Sequence, residues 1–191
     1  MALLDTPDKE AGLAAAARNG DETAWEALIQ QHQEAVFRLA YLIIGDADDA
    51  QDVAQGAFIR AYKKLDQYDA ARPLRPWLLG ITANMARNRQ RSIGRYLNAM
   101  RRYWQANVEH TAARPLAGRA NAQLLWEAVQ HLPQAMQEVI YLRYFLEMSE
   151  LETAETLSVA PGTIKSRTHR ALQKLRGIIL NKYPELADEW D

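Results

Sequence analysis

Lys165, Ser166, His169 and Arg170 fall at steps of one, three and one residues, which places them on one face of a helix. Ammonium, hydroxyl, imidazole and guanidinium groups on a shared face can hydrogen-bond to phosphates and to base edges. Ile164, Ala171, Leu175 and Ile178/Ile179 take the opposite, apolar face. Little else in the chain suggests chemistry. There is no cysteine, so disulfides and thiolate metal sites are excluded. His32, His110, His131 and His169 are scattered without metal-ligand spacing or partner carboxylates. No phosphate-binding glycine loop and no nucleophile–base pairing is present. No enzyme activity, metal or cofactor is therefore expected.

The elements that must position these side chains are legible nearby. Ser149 followed by Glu152 is a capping-box pattern for a short helix, with Ala154 and Leu157 on one face. Ser158-Val159-Ala160-Pro161 breaks it, because proline biases its predecessor towards extended geometry. A second helix follows from about Gly162 to Leu180. Two short helices, a tight turn and a basic second helix suit a helix-turn-helix entering a major groove. The same pattern also describes a helical hairpin whose charged face meets solvent.

The net charge is −1, which alone argues against a free-standing nucleic-acid binder. The distribution tells more. No acid lies between Asp69 and Glu109, a window that holds eight arginines from Arg72 to Arg102. A second acid-free window, Thr156 to Pro184, carries Lys165, Arg167, Arg170, Lys174, Arg176 and Lys182. Acids gather at Asp46 to Asp52 and in Glu185 to Asp191. Two basic surfaces and one acidic surface suggest a bridge between DNA and a basic protein partner.

With 48% hydrophobic residues over 191 positions, two small globular domains are expected. No secretory signal opens the chain, and no apolar run nears the roughly 20 residues of a membrane span. A cytoplasmic setting without membrane insertion is expected. A first helix is predicted over about 8–18, ended by Asn19-Gly20. Asp21 caps a second of about five turns with Trp25, Leu28/Ile29, Val36, Leu39/Ala40 and Ile43 inward, closed by Gly45. Asp46 caps a third, with Ala50, Val53/Ala54, Ala57/Phe58, Ala61/Tyr62 and Leu65 buried. Asp48, Asp52, Gln55 and Ile59 form its outward stripe, either a docking face or acids that match the helix dipole. The prolines of Tyr68 to Pro76 mark a loop before Trp77. Patterning fades over residues 93–120, where basic and aromatic residues could extend the preceding helix. It returns with Leu124/Leu125, Ala128/Val129 and Leu132, then Pro133 opening a helix with Met136, Val139/Ile140 and Tyr144 inward.

Four stretches resemble one family. Gly162-Thr163-Ile164-Lys165-Ser166-Arg167 is similar to the GTVKSR recognition helix of sigma-70 superfamily initiation factors. DADDAQDVAQGAF, from Asp46 to Phe58, resembles DxxDAEDxxQExF of the extracytoplasmic-function (ECF) group. Trp77 to Arg91, WLLGITANMARNRQR, is similar to that group's WLYRIAxNxAxDxxR, and Leu132 to Ser149 resembles its LPxxxRxVxxLRxxxGLS. Departures stand within the match. Gln51 and Gly56 replace glutamates, Gly80 an arginine, Leu74 an aromatic, Thr153 an isoleucine and Leu151 an exposed glutamate.

The resemblance implies an all-α chain of two small helical domains joined by a flexible linker, the second a four-helix domain containing the helix-turn-helix. The implied layout is an N-terminal helix in 1–20 and a region 2 domain over 21–92. A linker over 93–120, a region 4 domain over 121–181 and an acidic tail over 182–191 follow, with no further domain. It implies a sigma factor that recognises the promoter −35 element and opens the −10 element. Asp48, Asp49, Asp52, Gln55 and Ile59 would bind RNA polymerase core at its β′ clamp helices, with the β subunit a further contact. Leu74, Trp77, Asn84, Arg87 and Arg91 would engage −10 DNA, the loop before Trp77 holding a flipped base. Lys165, Ser166, His169 and Arg170 would read −35 bases, with Thr163 and Arg167 nearer phosphates. An anti-sigma partner is expected. A stand-alone helix-turn-helix regulator is the alternative, but it has no use for the acidic helix and the Trp-Asn segment. A decoy that binds only an anti-sigma partner would have lost the basic residues of the recognition helix.

Overall fold

The structure is a computed structural model, and it describes residues 7–104 and 120–183. Those residues form helices joined by short connections and fall into two compact units. The first holds α1 (Pro7–Arg18), α2 (Glu22–Ile44), α3 (Ala47–Lys63) and α4 (Leu74–Trp104). The second holds α5 (Ala120–Gln130), α6 (Gln134–Ile140), α7 (Glu150–Leu157) as far as Ala154, and α8 (Pro161–Lys182). The expected N-terminal residues 1–6, most of the linker and most of the acidic tail lie outside the described residues.

Local chemistry sets the helix ends of the first unit. Asp21 accepts from Ala24 N at 3.1 Å and starts α2. Gly45, at φ 83°, donates to Tyr41 O and stops it, a left-handed stop that glycine takes without a Cβ penalty. α2 spans 23 residues, or about six turns rather than five. Asp46 accepts from Asp49 N at 2.9 Å and starts α3. α3 buries Ala50, Val53, Ala54, Ala57, Phe58 and Ala61. Tyr62, expected inward, is exposed at the edge of the Trp25 ring, with centroids 5.3 Å apart. Leu65 is buried, but from a 3-10 turn that follows the helix.

α2 is the central helix of this unit and packs on α1, α3 and α4. α1 closes a core of Ala14, Ala17, Ala24, Leu28, Leu65, Tyr68 and Leu74. It also carries two polar anchors. Glu10 pairs with His32 Nε2 at 2.7 Å and accepts from Leu74 N at 3.1 Å. Burial pushes the Glu10 carboxyl up, but the bonds from His32 and Leu74 N and the charges of His32 and Arg75 outweigh it and hold it below the usual range. Arg18 donates to Leu65 O at 2.9 Å and to Tyr68 O at 2.7 Å.

α4 begins three residues before Trp77, so the expected loop ends at Pro73. Pro76 sits in the first turn, where the missing N–H has no intrahelical partner to lose. The helix then continues past the expected boundary at 92 to Trp104, because no proline or helix-stopping turn intervenes. Gln90 Nε2 donates to Ile43 O at 2.7 Å and fixes its register against α2. At Gly56 of α3 a Cβ would lie 2.8 Å from Met85 Cε of α4. The glycine that costs α3 about 1 kcal/mol in propensity thus admits a methionine across it.

In the second unit Pro133 is the residue before α6 rather than its first, and its carbonyl accepts from Met136 N at 2.8 Å. α6 runs into a π-turn over Tyr141–Phe145. The wider turn advances the inward face by one residue relative to a 3.6 period. Tyr141 is therefore buried, and Tyr144, expected inward, is 53% exposed. Trp126 stacks on Tyr141 with centroids 5.8 Å apart. Burial pushes the Tyr141 phenol well above its ordinary value, so it stays protonated and accepts from Gln130 at 2.8 Å.

Glu147 follows the π-turn at φ 56°. This is the position that the resembling pattern gives to glycine, and a non-glycine residue there costs roughly 1–2 kcal/mol of local strain. Glycine loses more unfolded-state freedom, which offsets part of that. Glu147→Gly is expected to stabilise the second unit by about 0.5–1 kcal/mol, read as a higher urea midpoint for its transition. An unchanged or lower midpoint would show that the left-handed turn is not a source of strain.

Candidate functional site

On α8 the inward positions are Ile164, Thr168, Ala171, Leu175 and Ile179. Thr168 fills the slot between Ile164 and Ala171, and the apolar pattern had left that slot blank. With this face packed, Lys165, Ser166, His169 and Arg170 are all exposed, while Thr163 and Arg167 are half-buried at the flank. Arg170 Nε donates to Ser166 O at 3.2 Å, which leaves its terminal nitrogens for an external acceptor. Ser166 Oγ donates to Thr163 O at 3.1 Å, so its hydroxyl can still accept.

α7 sets the approach to α8. Ser149 N donates to Glu152 Oε2 at 2.7 Å and Glu152 N donates to Ser149 Oγ at 3.2 Å, completing the capping box. Thr153 is fully buried and its hydroxyl donates to Ser149 O at 2.8 Å. A threonine where isoleucine is usual is therefore satisfied locally and does not disturb packing. Leu151 is 66% exposed, so it takes the solvent position of the usual glutamate. Ser158, at φ 54°, turns the chain, and Pro161 begins α8.

In the first unit the row Asp48, Asp52, Gln55 and Ile59 lies exposed along α3, with Ile59 58% exposed. Among the described residues Asp52 makes no hydrogen bond or ion pair. Asp49 differs: Arg89 Nε of α4 donates to its carboxylate at 2.9 Å, with a second bond from Nη2. Asp49 therefore ties α3 to α4, and half of its chemistry is internal. Sequence reasoning missed the other wall of this face. Ile29, Gln33 and Phe37 of α2 face Ala54, Gln55 and Phe58 of α3 across a groove of about 290 Å³. Only tertiary packing brings Gln33 and Gln55 to one surface, and no spacing within α2 announces it.

The α4 residues divide. Asn84, Arg87, Asn88 and Arg91 follow one another on one face of the helix. Arg87 Nη2 donates to Asn84 Oδ1, and Arg91 Nη2 donates to Asn88 Oδ1 at 2.7 Å. With its oxygen held, the Asn84 amide nitrogen remains as an outward donor. Leu74 does not join them. Its side chain is 1% exposed in the core with Leu28 and Tyr68, and drawing it out would cost about 1.5–3 kcal/mol. Its expected contact with DNA is thus corrected to a core role. Trp77 is half-buried against the Tyr68 ring, centroids 5.2 Å apart.

Tyr68 to Pro73 precedes α4, with Asp69 to Pro73 exposed. Ala71 N donates to Asp69 Oδ1 at 3.0 Å and Arg72 N to Asp69 O at 3.0 Å, so the connection is a built turn. Burial, with the nearby Glu10 and Asp69 carboxylates, pushes the Tyr68 phenol up to about 12. It stays protonated and donates to Arg72 O. Among the described residues no cluster of His, Cys, Asp or Glu could hold a metal ion, and no helix is long and apolar enough to cross a membrane.

Comparisons with known proteins match this layout. The family model described as Sigma-70 region 2 matches residues 28–96, and that described as Sigma-70, region 4 matches residues 122–175. The ECF RNA polymerase sigma factor SigL of Mycobacterium tuberculosis is 32% identical, over 78% of this chain and 85% of its own. SigE of Mycolicibacterium smegmatis, also an ECF RNA polymerase sigma factor, is 30% identical over 96% of this chain and 74% of its own. The sigma factor RpoE of Bartonella quintana, solved in complex with the anti-sigma factor NepR, superposes with a TM-score of 0.67. It is 25% identical and covers 82% of this chain and 97% of its own. With both regions matched in order and relatives at 30–32% identity matched over 74–85% of their own length, the chain belongs to the ECF RNA polymerase sigma factors of the sigma-70 family, which direct RNA polymerase to promoters.

Proposed function

We propose that each of the three surfaces has one task in initiation. Asp48, Asp52, Gln55 and Ile59, with the α2 wall of the groove and a lesser share from Asp49, dock on core polymerase at the β′ clamp helices. Acids around an exposed isoleucine suit a basic helical partner with apolar contact at its centre. Asn84, Arg87 and Arg91 engage the −10 element, and Trp77 supports them from the core. Lys165, Ser166, His169 and Arg170 read the −35 element, while Thr163 and Arg167 hold phosphates. The chain works without a cofactor and as a transcription factor rather than an enzyme, in the cytoplasm where polymerase acts. An anti-sigma factor restrains it, as a partner accompanies the related RpoE.

The observation that carries this reading is the pairing, within one unit, of the exposed acidic row on α3 with the Asn84–Arg91 row on α4. A regulator that only reads duplex DNA needs neither. The test is in vitro transcription with core polymerase and genomic templates, where promoter-specific transcripts are expected. The free protein should bind the same promoters weakly and with strong salt dependence. Absence of specific transcripts with active core would sink the assignment of these faces.

A further inference from the structure

α1 touches both ends of the connection that precedes α4. At the upstream end Arg18 donates to Leu65 O and Tyr68 O at 2.9 and 2.7 Å. At the downstream end Glu10 accepts from Leu74 N at 3.1 Å, and the His32 ring steadies that carboxylate at 2.7 Å. Between Tyr68 and Leu74 the turn Asp69 to Pro73 is exposed, held in place by the Asp69 carboxylate and by Tyr68. The apolar face of α1 packs against the same flanking residues, since Ala14 and Ala17 share a core with Leu65, Tyr68 and Leu74. A helix needed only to cover α2 would have no reason to cap backbone groups on either side of one exposed turn. A guanidinium fork on two carbonyls and a carboxylate on a helix-start amide are directional bonds that fix where the turn stands.

We propose that α1 positions the Tyr68–Pro73 turn for capture of the −10 strand, with Arg18 and Glu10 as its positioning residues. The inference rests on the −10 assignment of the α4 row made above. A turn pinned at both ends meets a flipped base already in shape, so less ordering is charged against binding. Loosening either pin leaves the row Asn84, Arg87 and Arg91 in place and lets the neighbouring wall drift. The defect should therefore appear in single-strand capture, not in core docking or −35 recognition.

The experiment uses the full chain assembled with core polymerase. Binding of a single-stranded non-template −10 oligonucleotide, from a promoter mapped by transcription, is followed by fluorescence anisotropy beside core affinity. Arg18→Ala is expected to weaken oligonucleotide binding roughly tenfold, the size of losing charge-assisted hydrogen bonds, with core affinity unchanged. Arg18→Lys, which keeps the charge but not the fork, should fall between and serves if Arg18→Ala does not fold. Glu10→Gln, which keeps a carbonyl acceptor for Leu74 N, should recover most of what Glu10→Ala loses. Asn84→Ala is the reference. If it weakens capture while every folded Arg18 and Glu10 variant binds as the parent does, the role of α1 is overturned alone. If Asn84→Ala binds normally, the −10 assignment falls and the proposal with it. Equal losses in oligonucleotide and core binding would make α1 a general structural support and overturn positioning.

Discussion

Asp52→Arg is expected to weaken binding to core polymerase by roughly tenfold to a hundredfold, with little change in the unfolding midpoint. The effect is large because the charge is reversed where the partner surface is basic, so an attraction becomes a repulsion. It is clean because Asp52 is exposed on α3 and makes no hydrogen bond or ion pair among the described residues. Its one internal interaction is a through-space attraction to Arg89, so the fold loses little with it. Asp49→Arg would confuse the result, since it also breaks the bond from Arg89 that ties α3 to α4. The loss should shrink as salt rises from low to physiological strength, since exposed charges are screened within about 8–10 Å. Ile59→Ala should give a smaller loss that salt does not alter, because its contribution is apolar area. Equilibrium titration of labelled core at two salt concentrations separates these outcomes. Unchanged core affinity for Asp52→Arg would remove this row from the interface.

How far the chain could be read from sequence depended on how far apart the interacting residues stand. Asp21, Asp46 and the Ser149–Glu152 box were legible because a cap and its amide lie within three residues. The exposed rows on α3 and α8 were legible because helical period alone separates them from their apolar faces. Leu74 was misplaced because two nearby prolines suggested a loop, although proline fits a first helical turn as well. Tyr144 was misplaced because a 3.6 period carries no sign of a π-turn. The bonds that build the sites were hidden for a simpler reason. Arg89 and Asp49 are 40 residues apart, and Leu74 and Glu10 are 64 apart. No local pattern pairs a carboxylate in the first helix with an amide at the start of the fourth. The family resemblance pointed to the candidate faces, and physical packing decides which residues within them are exposed.

Replacing Lys165 and Arg170 together by alanine is expected to reduce transcription from −35-dependent promoters by a factor of ten or more, since each side chain that reads a base supplies about 1–3 kcal/mol. Both side chains are exposed on α8, so the packing of Ile164, Ala171 and Leu175 beneath them is untouched. Arg170 should contribute the larger part. Its Nε bond to Ser166 O already orders the guanidinium, so less freedom is lost when its terminal nitrogens meet a base. Ser166→Ala should cost less, because part of that hydroxyl's bonding is spent on Thr163 O. Arg167→Ala should behave differently again, weakening binding to all sequences alike and lowering the salt slope by about one unit, as removal of a phosphate-binding cation does. The decisive measurement pairs each variant with single-base changes across the −35 element in transcription by the assembled holoenzyme. A variant without a base-reading side chain becomes indifferent to the base it used to read, whereas one without a phosphate-binding side chain keeps the parent's preferences at lower yield. If the Lys165/Arg170 double variant still discriminates among −35 sequences as the parent does, those two side chains do not read bases, and the recognition role passes to His169 and the start of α8.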